Sequence, residues 1–173
     1  MRLICLIGTD GAGKTWYCKR LVKKLGAKYV WFRFNHFFSL PLLAYARIVG
    51  LSTGNTHNFW KSPLFARLYV KTQVIDNKLA IFLRLRGDSI VCDRFIHDTI
   101  IDLHLSTRIP LKRLIKTFRP LIPKNALVVL VSADIKTLKA RRPDDQFINQ
   151  KVKLYEQLAR EMKLPTKFSI VIT

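Results

Sequence analysis

The feature that most constrains this chain is an eight-residue run near its start, Gly8-Thr9-Asp10-Gly11-Ala12-Gly13-Lys14-Thr15, which satisfies G-x-x-x-x-G-K-[ST] without deviation. The apolar stretch Arg2–Gly8 before it reads as a buried strand. The stretch from Gly13 to Leu25 after it carries Trp16, Leu21, Val22 and Leu25 at helical spacing, with Gly26 as its stop. A strand, a glycine-rich turn and a helix in that order make an anion cradle. Glycines let the main chain wrap an anion with its N–H groups pointing inward, and the helix start adds partial positive charge. Lys14 can reach the β- and γ-phosphates of a nucleotide, and the Thr15 hydroxyl can ligate Mg²⁺. Gly8, Thr9, Asp10, Gly11, Ala12, Gly13, Lys14 and Thr15 are thus the expected nucleotide-binding residues, with ATP and Mg²⁺ as the ligands.

The remaining 158 residues of the 173 alternate between strand-like and helix-like segments. Lys28–Phe32 and Ser89–Cys92 read as strands, and Ala126–Val131 is apolar enough for a strand covered on both faces. Phe168–Ile172 reads as a last strand. Helical segments are expected at Leu40–Leu51, Pro63–Leu85 (with Leu64, Leu68, Ile75, Leu79 and Phe82 near one face), about 95–105, Ile135–Arg141 and Asn149–Lys163. The segment between the fourth of these strands and the helix at 95–105 is basic and broken by Pro110, Pro120 and Pro123. Five apolar strands with helices between them imply a three-layer α/β fold: a five-stranded parallel sheet with helices on both faces, in one domain spanning 1–173.

Lysine and arginine total 31 against 11 acids, for a net charge of +20. Such a field attracts nucleotides, nucleic acid or an acidic surface. Residues 1–75 hold twelve Lys/Arg and one acid, Asp10, and an isolated acid in so basic a stretch calls for a local reason. Three cysteines without a CxxC spacing, and no secretory signal pattern, point to a reduced cytoplasmic protein. The apolar stretch Phe37–Leu51 contains Pro41 and Arg47 and is too short to span a bilayer, so no transmembrane segment is expected.

The loop GTDGAGKT, the strand SIVC followed by Asp93-Arg94-Phe95, and the later Ala140-Arg141-Arg142-Pro143-Asp144-Asp145 together resemble the thymidylate kinase family of P-loop nucleoside monophosphate kinases. The resemblance implies transfer of the ATP γ-phosphoryl to a nucleoside monophosphate, with dTMP the default acceptor, a Mg²⁺ requirement and a homodimer. It implies catalytic roles for Lys14, Arg94, Arg141 and Arg142, the two last in a lid at about 139–148. Asp10, Arg33, Arg94 and Asp98 would bind the acceptor, and Thr15 and Asp93 would serve the metal. Arg33 lies where the family has an arginine in an Arg-Glu-Pro context, but Glu and Pro are absent here.

Base recognition departs further. The family stacks a Phe on thymine and places an Arg four residues later; counting back from Gly87 puts these at Leu68 and Thr72, with Phe65, Arg67, Tyr69 and Lys71 near enough to substitute. A Tyr-Gln pair common in the family falls at Asp102 and Leu103. Asp98 and Asp102, with His97 adjacent, are expected to form a polar helix face lining the acceptor site or solvent. The acceptor thus stays open between a mononucleotide and a nucleic-acid end, and a non-catalytic nucleotide- or nucleic-acid-binding relative remains the alternative.

Overall fold

The computed structural model describes residues 2–33, 36–50, 52–53, 56–57, 59, 62–164 and 168–169. The elements run β1 (Arg2–Ile7), α1 (Lys14–Leu25), β2 (Lys28–Trp31), α2 (Ser39–Ile48), β3 (Ser52–Thr53), β4 (Thr56–His57), α3 (Pro63–Arg84), β5 (Ser89–Asp93), α4 (Ile96–Thr107), α5 (Leu111–Phe118), β6 (Ala126–Ser132), α6 (Ile135–Arg141), α7 (Ile148–Met162) and β7 (Phe168–Ser169). Four strands carry the parallel sheet in the order β2-β5-β1-β6. The expected last strand contributes only the two residues of β7, paired parallel with Val131 and Ser132 at the edge. The rest of that expectation, residues 170–172, lies outside the described residues. β3 and β4 form a separate antiparallel pair.

Alternation along the strands divides the core between the two sheet faces. Leu3, Cys5, Ile7, Val30, Ile90, Cys92, Val128 and Leu130 point to the face that α3, α4, α5 and most of α7 cover. Leu6, Val91 and Val131 point to the other, against Cys18 of α1 and Leu138 of α6. The crossover leaving β1 runs to β2 on one side, and the crossover leaving β5 runs past β1 to β6 on the other. The C-terminal ends of β1 and β5 are therefore a topological switch point, where a crevice opens.

Three local readings are corrected. Trp16 and Leu25, expected on the buried side of α1, are 52% and 41% exposed; Leu21 and Val22 of that series do face inward, joined by Cys18. On α3 the apolar series Leu64, Leu68, Ile75 and Phe82 points outward, and the inward face carries Phe65, Tyr69, Gln73, Asp76 and Asn77. Asp76 is tolerated there because it accepts hydrogen bonds from Phe38 N (2.6 Å), Ser39 N (3.0 Å) and Ser39 Oγ (2.6 Å), which ties the start of α2 to α3. Finally, the basic segment after Pro110 contains a helix, α5, that buries Leu111, Leu114, Ile115 and Phe118. Among the described residues no helix is long and apolar enough to cross a membrane.

Candidate active site

The motif residues leave β1 at the switch point and return as α1. Gly8 has φ 139°, and a Cβ there would lie 2.1 Å from the Val131 carbonyl oxygen of β6. Gly11 and Gly13 both have φ 88°, and Gly13 caps α1. The loop is thus a shape that only glycine side chains permit at these points. Lys14 is almost fully buried, and its ammonium donates to the Gly8 and Thr9 carbonyls at 2.7 and 2.6 Å. Burial pulls its pKa below the ordinary lysine value, opposed by the carboxylates of Asp98 and Asp93.

Thr15 and Asp93 meet across the switch point. The Thr15 hydroxyl donates to Asp93 Oδ2 at 2.5 Å. The register sets Asp93 beside Leu6 of β1 and Trp31 of β2, at the end of β5. A second donor reaches the same oxygen: Tyr29 Oη at 2.9 Å. A buried carboxylate beside a hydroxyl is a hard-oxygen pair of the kind Mg²⁺ takes, with water filling the rest of its shell. These two residues therefore fit the metal that the loop implies.

Asp10 sits among cations, and this supplies the local reason for its isolation in the sequence. It forms a close ion pair with Arg94 Nη2, and lies 3.8 Å from Arg33 Nη1 and 3.9 Å from Lys14 Nζ. Arg94 holds φ 71°, a left-handed conformation that costs an arginine roughly 1–2 kcal/mol. Its N–H is fixed to Leu6 O at 2.9 Å. Turning the chain there at the end of β5 brings the guanidinium back over the loop. Arg33 bridges toward α4, with Nη2 3.9 Å from Asp102 Oδ2.

Asp98 and Asp102 do not form one polar face. Asp102 has a half-exposed side chain, whereas Asp98 is sealed in, 2% exposed. Asp98 Oδ1 accepts from Tyr155 Oη at 2.6 Å and lies 3.5 Å from Arg94 Nη1, and Oδ2 accepts from Phe95 N at 3.0 Å. It backs Arg94 from the protein side. Arg141 Nη1 donates to Gly11 O at 3.0 Å, and the Arg142 side chain also approaches Gly11. The turn after α6 is pinned by Lys151 on Asp145 at 2.6 Å. The structure thus brings together Lys14, Thr15, Asp93, Asp10, Arg33, Arg94, Arg141 and Asp98.

Two contributors escaped the sequence reading. Tyr29 alternates with the inward Val30 on β2, and that period carried the signal for its direction. Tyr155 left none, because its partner Asp98 is 57 residues away. On α3, Leu68 is exposed and the Thr72 hydroxyl bonds back to Tyr69 O, so neither faces the interior as the family's base-reading pair would. Of the substitutes, Phe65 and Tyr69 point inward; Arg67 and Lys71 point out.

This loop at this switch point is the phosphate-binding arrangement of a P-loop protein, and the fold around it is thymidylate kinase-like. Thymidylate kinase from Candida albicans is similar with a TM-score of 0.63 at 15% identity, over 99% of this chain and 85% of that one. The YorR protein from Bacillus subtilis, solved in complex with phosphorylated GDP, is similar with a TM-score of 0.52 at 19% identity, over 95% and 82%. Identities this low establish the fold. No family model and no curated protein sequence matches the chain.

Proposed function

We propose that this chain is an ATP-dependent phosphotransferase of the thymidylate kinase type that acts on a nucleoside monophosphate. The observation that carries the reading is the convergence of two cationic groups at one crevice: the glycine loop with Lys14 and Thr15, and, facing it, Arg33 and Arg94 gathered about Asp10. Phosphoryl transfer asks little covalent chemistry of the protein; it asks for two anions held in line and their charge neutralised. The acceptor phosphate oxygen forms a bond to the γ-phosphorus as the bond to the β–γ bridging oxygen breaks, and ADP leaves.

In this reading the loop N–H groups and Lys14 hold the donor phosphates. Thr15 and Asp93 would hold Mg²⁺, which supplies charge neutralisation on the β- and γ-oxygens. Arg94 grips the acceptor phosphate, held from behind by Asp98 and Tyr155, and Asp10 and Arg33 orient the acceptor sugar. Arg141 and Arg142, on a lid at about 139–148, bring charge to the transferring group. Base recognition differs from the family's. If Tyr69 takes the aromatic place, the residue four positions on is Gln73, a neutral amide bonded to His36 Nδ1 and Ser39 Oγ at 3.0 and 2.8 Å. We place the work of this single-domain protein in the cytoplasm. The outward apolar face of α3, with Tyr45 and Ile48 of α2, supports a homodimer.

The test is a panel of ribo- and deoxyribonucleoside monophosphates with ATP, Mg²⁺ and coupled ADP detection. Turnover of at least one acceptor, abolished in Lys14→Ala, is expected. No turnover with any acceptor, while ATP still binds, would leave a nucleotide-binding relative without chemistry.

A further inference from the structure

We propose that the outer face of α1 is a docking surface for single-stranded nucleic acid, separate from the phosphate crevice. The helix carries Lys19, Arg20, Lys23 and Lys24 on exposed positions, and it has no acidic residue. Trp16, Lys19, Arg20 and Lys23 are spaced i, i+3, i+4, i+7 and form one stripe. From Trp16 to Lys24 the stripe runs about 12 Å along the helix.

Trp16 sets the kind of polyanion. It is half-exposed, and the Arg20 guanidinium lies over its ring, 4.5 Å from the centroid. Tyr17 braces it edge-on at 4.7 Å. An exposed ring fixed from two sides beside four cations is a stacking platform with an electrostatic track, the combination that holds unpaired bases and their phosphates. A duplex hides its base faces and would leave the ring unused. The platform extends sideways: Val30 points to the opposite sheet face, so Trp31 of the edge strand β2 projects on the α1 side, where it is 48% exposed.

An acidic membrane fits this face less well. A helix that lies in a bilayer interface needs a broad apolar face; Cys18, Leu21 and Val22 of α1 are spent on the core, and only Trp16 and Leu25 stand outward among four cations. Arg86 over the exposed Phe82 ring, at 4.7 Å, is a comparable cation–ring pair at the end of α3, but the α1 face differs from the basic helix α5. On α5 the cations stand without an exposed aromatic beside them, and Lys112 is 3.9 Å from Glu161.

The experiment is fluorescence anisotropy with a labelled mixed-sequence DNA strand, its RNA counterpart, the DNA duplex, and, in parallel, flotation with phosphatidylserine vesicles. Four phosphate contacts on a single strand predict a log–log salt slope of about −2.8, a loss of about 50-fold in affinity between about 50 and about 200 mM salt. The variant K19Q/R20Q/K23Q should bring the slope close to about −0.7. R113Q/K116Q/R119Q, which removes the same charge elsewhere, should leave the slope unchanged. Trp16→Ala should weaken the strand about tenfold and leave the slope in place. Thermal melts check that each variant is folded, and the monophosphate kinase assay runs beside them, so that either claim can fail alone. Absence of binding at low salt overturns the proposal, as does equal weakening by the two triple variants, a preference for duplex, or binding to vesicles without binding to strands.

Discussion

Gly8→Ala tests the loop where its geometry is least forgiving. The new methyl would stand 2.1 Å from the Val131 carbonyl oxygen, and the position holds φ 139°. That backbone region is nearly closed to other residues, at a cost of about 1–3 kcal/mol. The contact is with main chain of β6, paired to β1 over Ala126–Leu130 and to β7 at Val131, which cannot swing away as a side chain could. Overpacking against it adds about 1–3 kcal/mol. The sum is about 2–6 kcal/mol, a drop of about 1–3 M in the urea midpoint at a slope of about 2 kcal/mol per M. Gly26→Ala is the internal comparison. Gly26 also has positive φ, 58°, but nothing lies within 4 Å of its would-be Cβ. Its cost is the left-handed conformation alone, about 1–2 kcal/mol. Equilibrium urea unfolding followed by far-UV circular dichroism, with calorimetric titration of an ATP analogue, separates the two. The Gly8 variant should unfold at lower urea and lose nucleotide binding, and the Gly26 variant should keep it. Equal midpoints with equal nucleotide affinity would refute the close packing of the loop on β6.

Three further outcomes follow from named contacts. Asp98→Ala strands Tyr155 Oη and Phe95 N–H and leaves Arg94 with Asp10 alone, and should cost about 3–5 kcal/mol in urea unfolding, while Tyr155→Phe, with one bond lost, should cost about 1–2. Asp93→Asn should cut turnover by about 100-fold or more, whereas Tyr29→Phe, which leaves the Thr15 bond to Asp93 intact, should stay within about tenfold in the same coupled assay. His97 is wholly buried with neither ring nitrogen bonded among the described residues, and burial pushes its pKa down to about 3. The fold therefore holds the neutral ring, and the unfolded chain takes up a proton below its ordinary value near 6.5. Stability from this site is complete above about pH 6.5 and falls by about 1.4 kcal/mol per unit as pH drops toward 3. Across that window the unfolding free energy of the wild type should fall relative to that of His97→Leu by about 1.4 kcal/mol per pH unit; parallel curves would contradict the burial argument.

What could be read from the residues was local. The loop, its strand and its helix follow from spacing and from glycines whose conformations are needed, and Asp93 and Arg94 follow a strand that the apolar run SIVC marks plainly. Neighbouring prolines concealed α5: Pro110 and Pro120 looked like breaks in one segment, yet they flank a helix whose Leu111, Leu114, Ile115 and Phe118 keep helical spacing. The face of α3 was illegible for a different reason. Leu64, Leu68, Ile75 and Phe82 point out while Gln73 and Asp76, with partners on the start of α2 34 to 38 residues away, share the inward face with Phe65 and Tyr69. Likewise, the burial of Asp98 depends on Tyr155, and no pattern along α4 announces a partner on α7. Hydrophobic periodicity ranks faces by composition; hydrogen bonds between distant residues can reverse the ranking.

The central claim is that main-chain amides from Gly8 to Thr15, with Lys14, receive the phosphates of ATP. Backbone amide NMR of the labelled full chain, titrated with Mg²⁺ and a non-hydrolysable ATP analogue, reads this residue by residue. Saturable shifts at Gly11, Gly13, Lys14 and Thr15, absent in Lys14→Ala at the same concentrations, are the predicted result. Saturable shifts confined to other segments, or a loop that stays unshifted while the analogue binds, would contradict it.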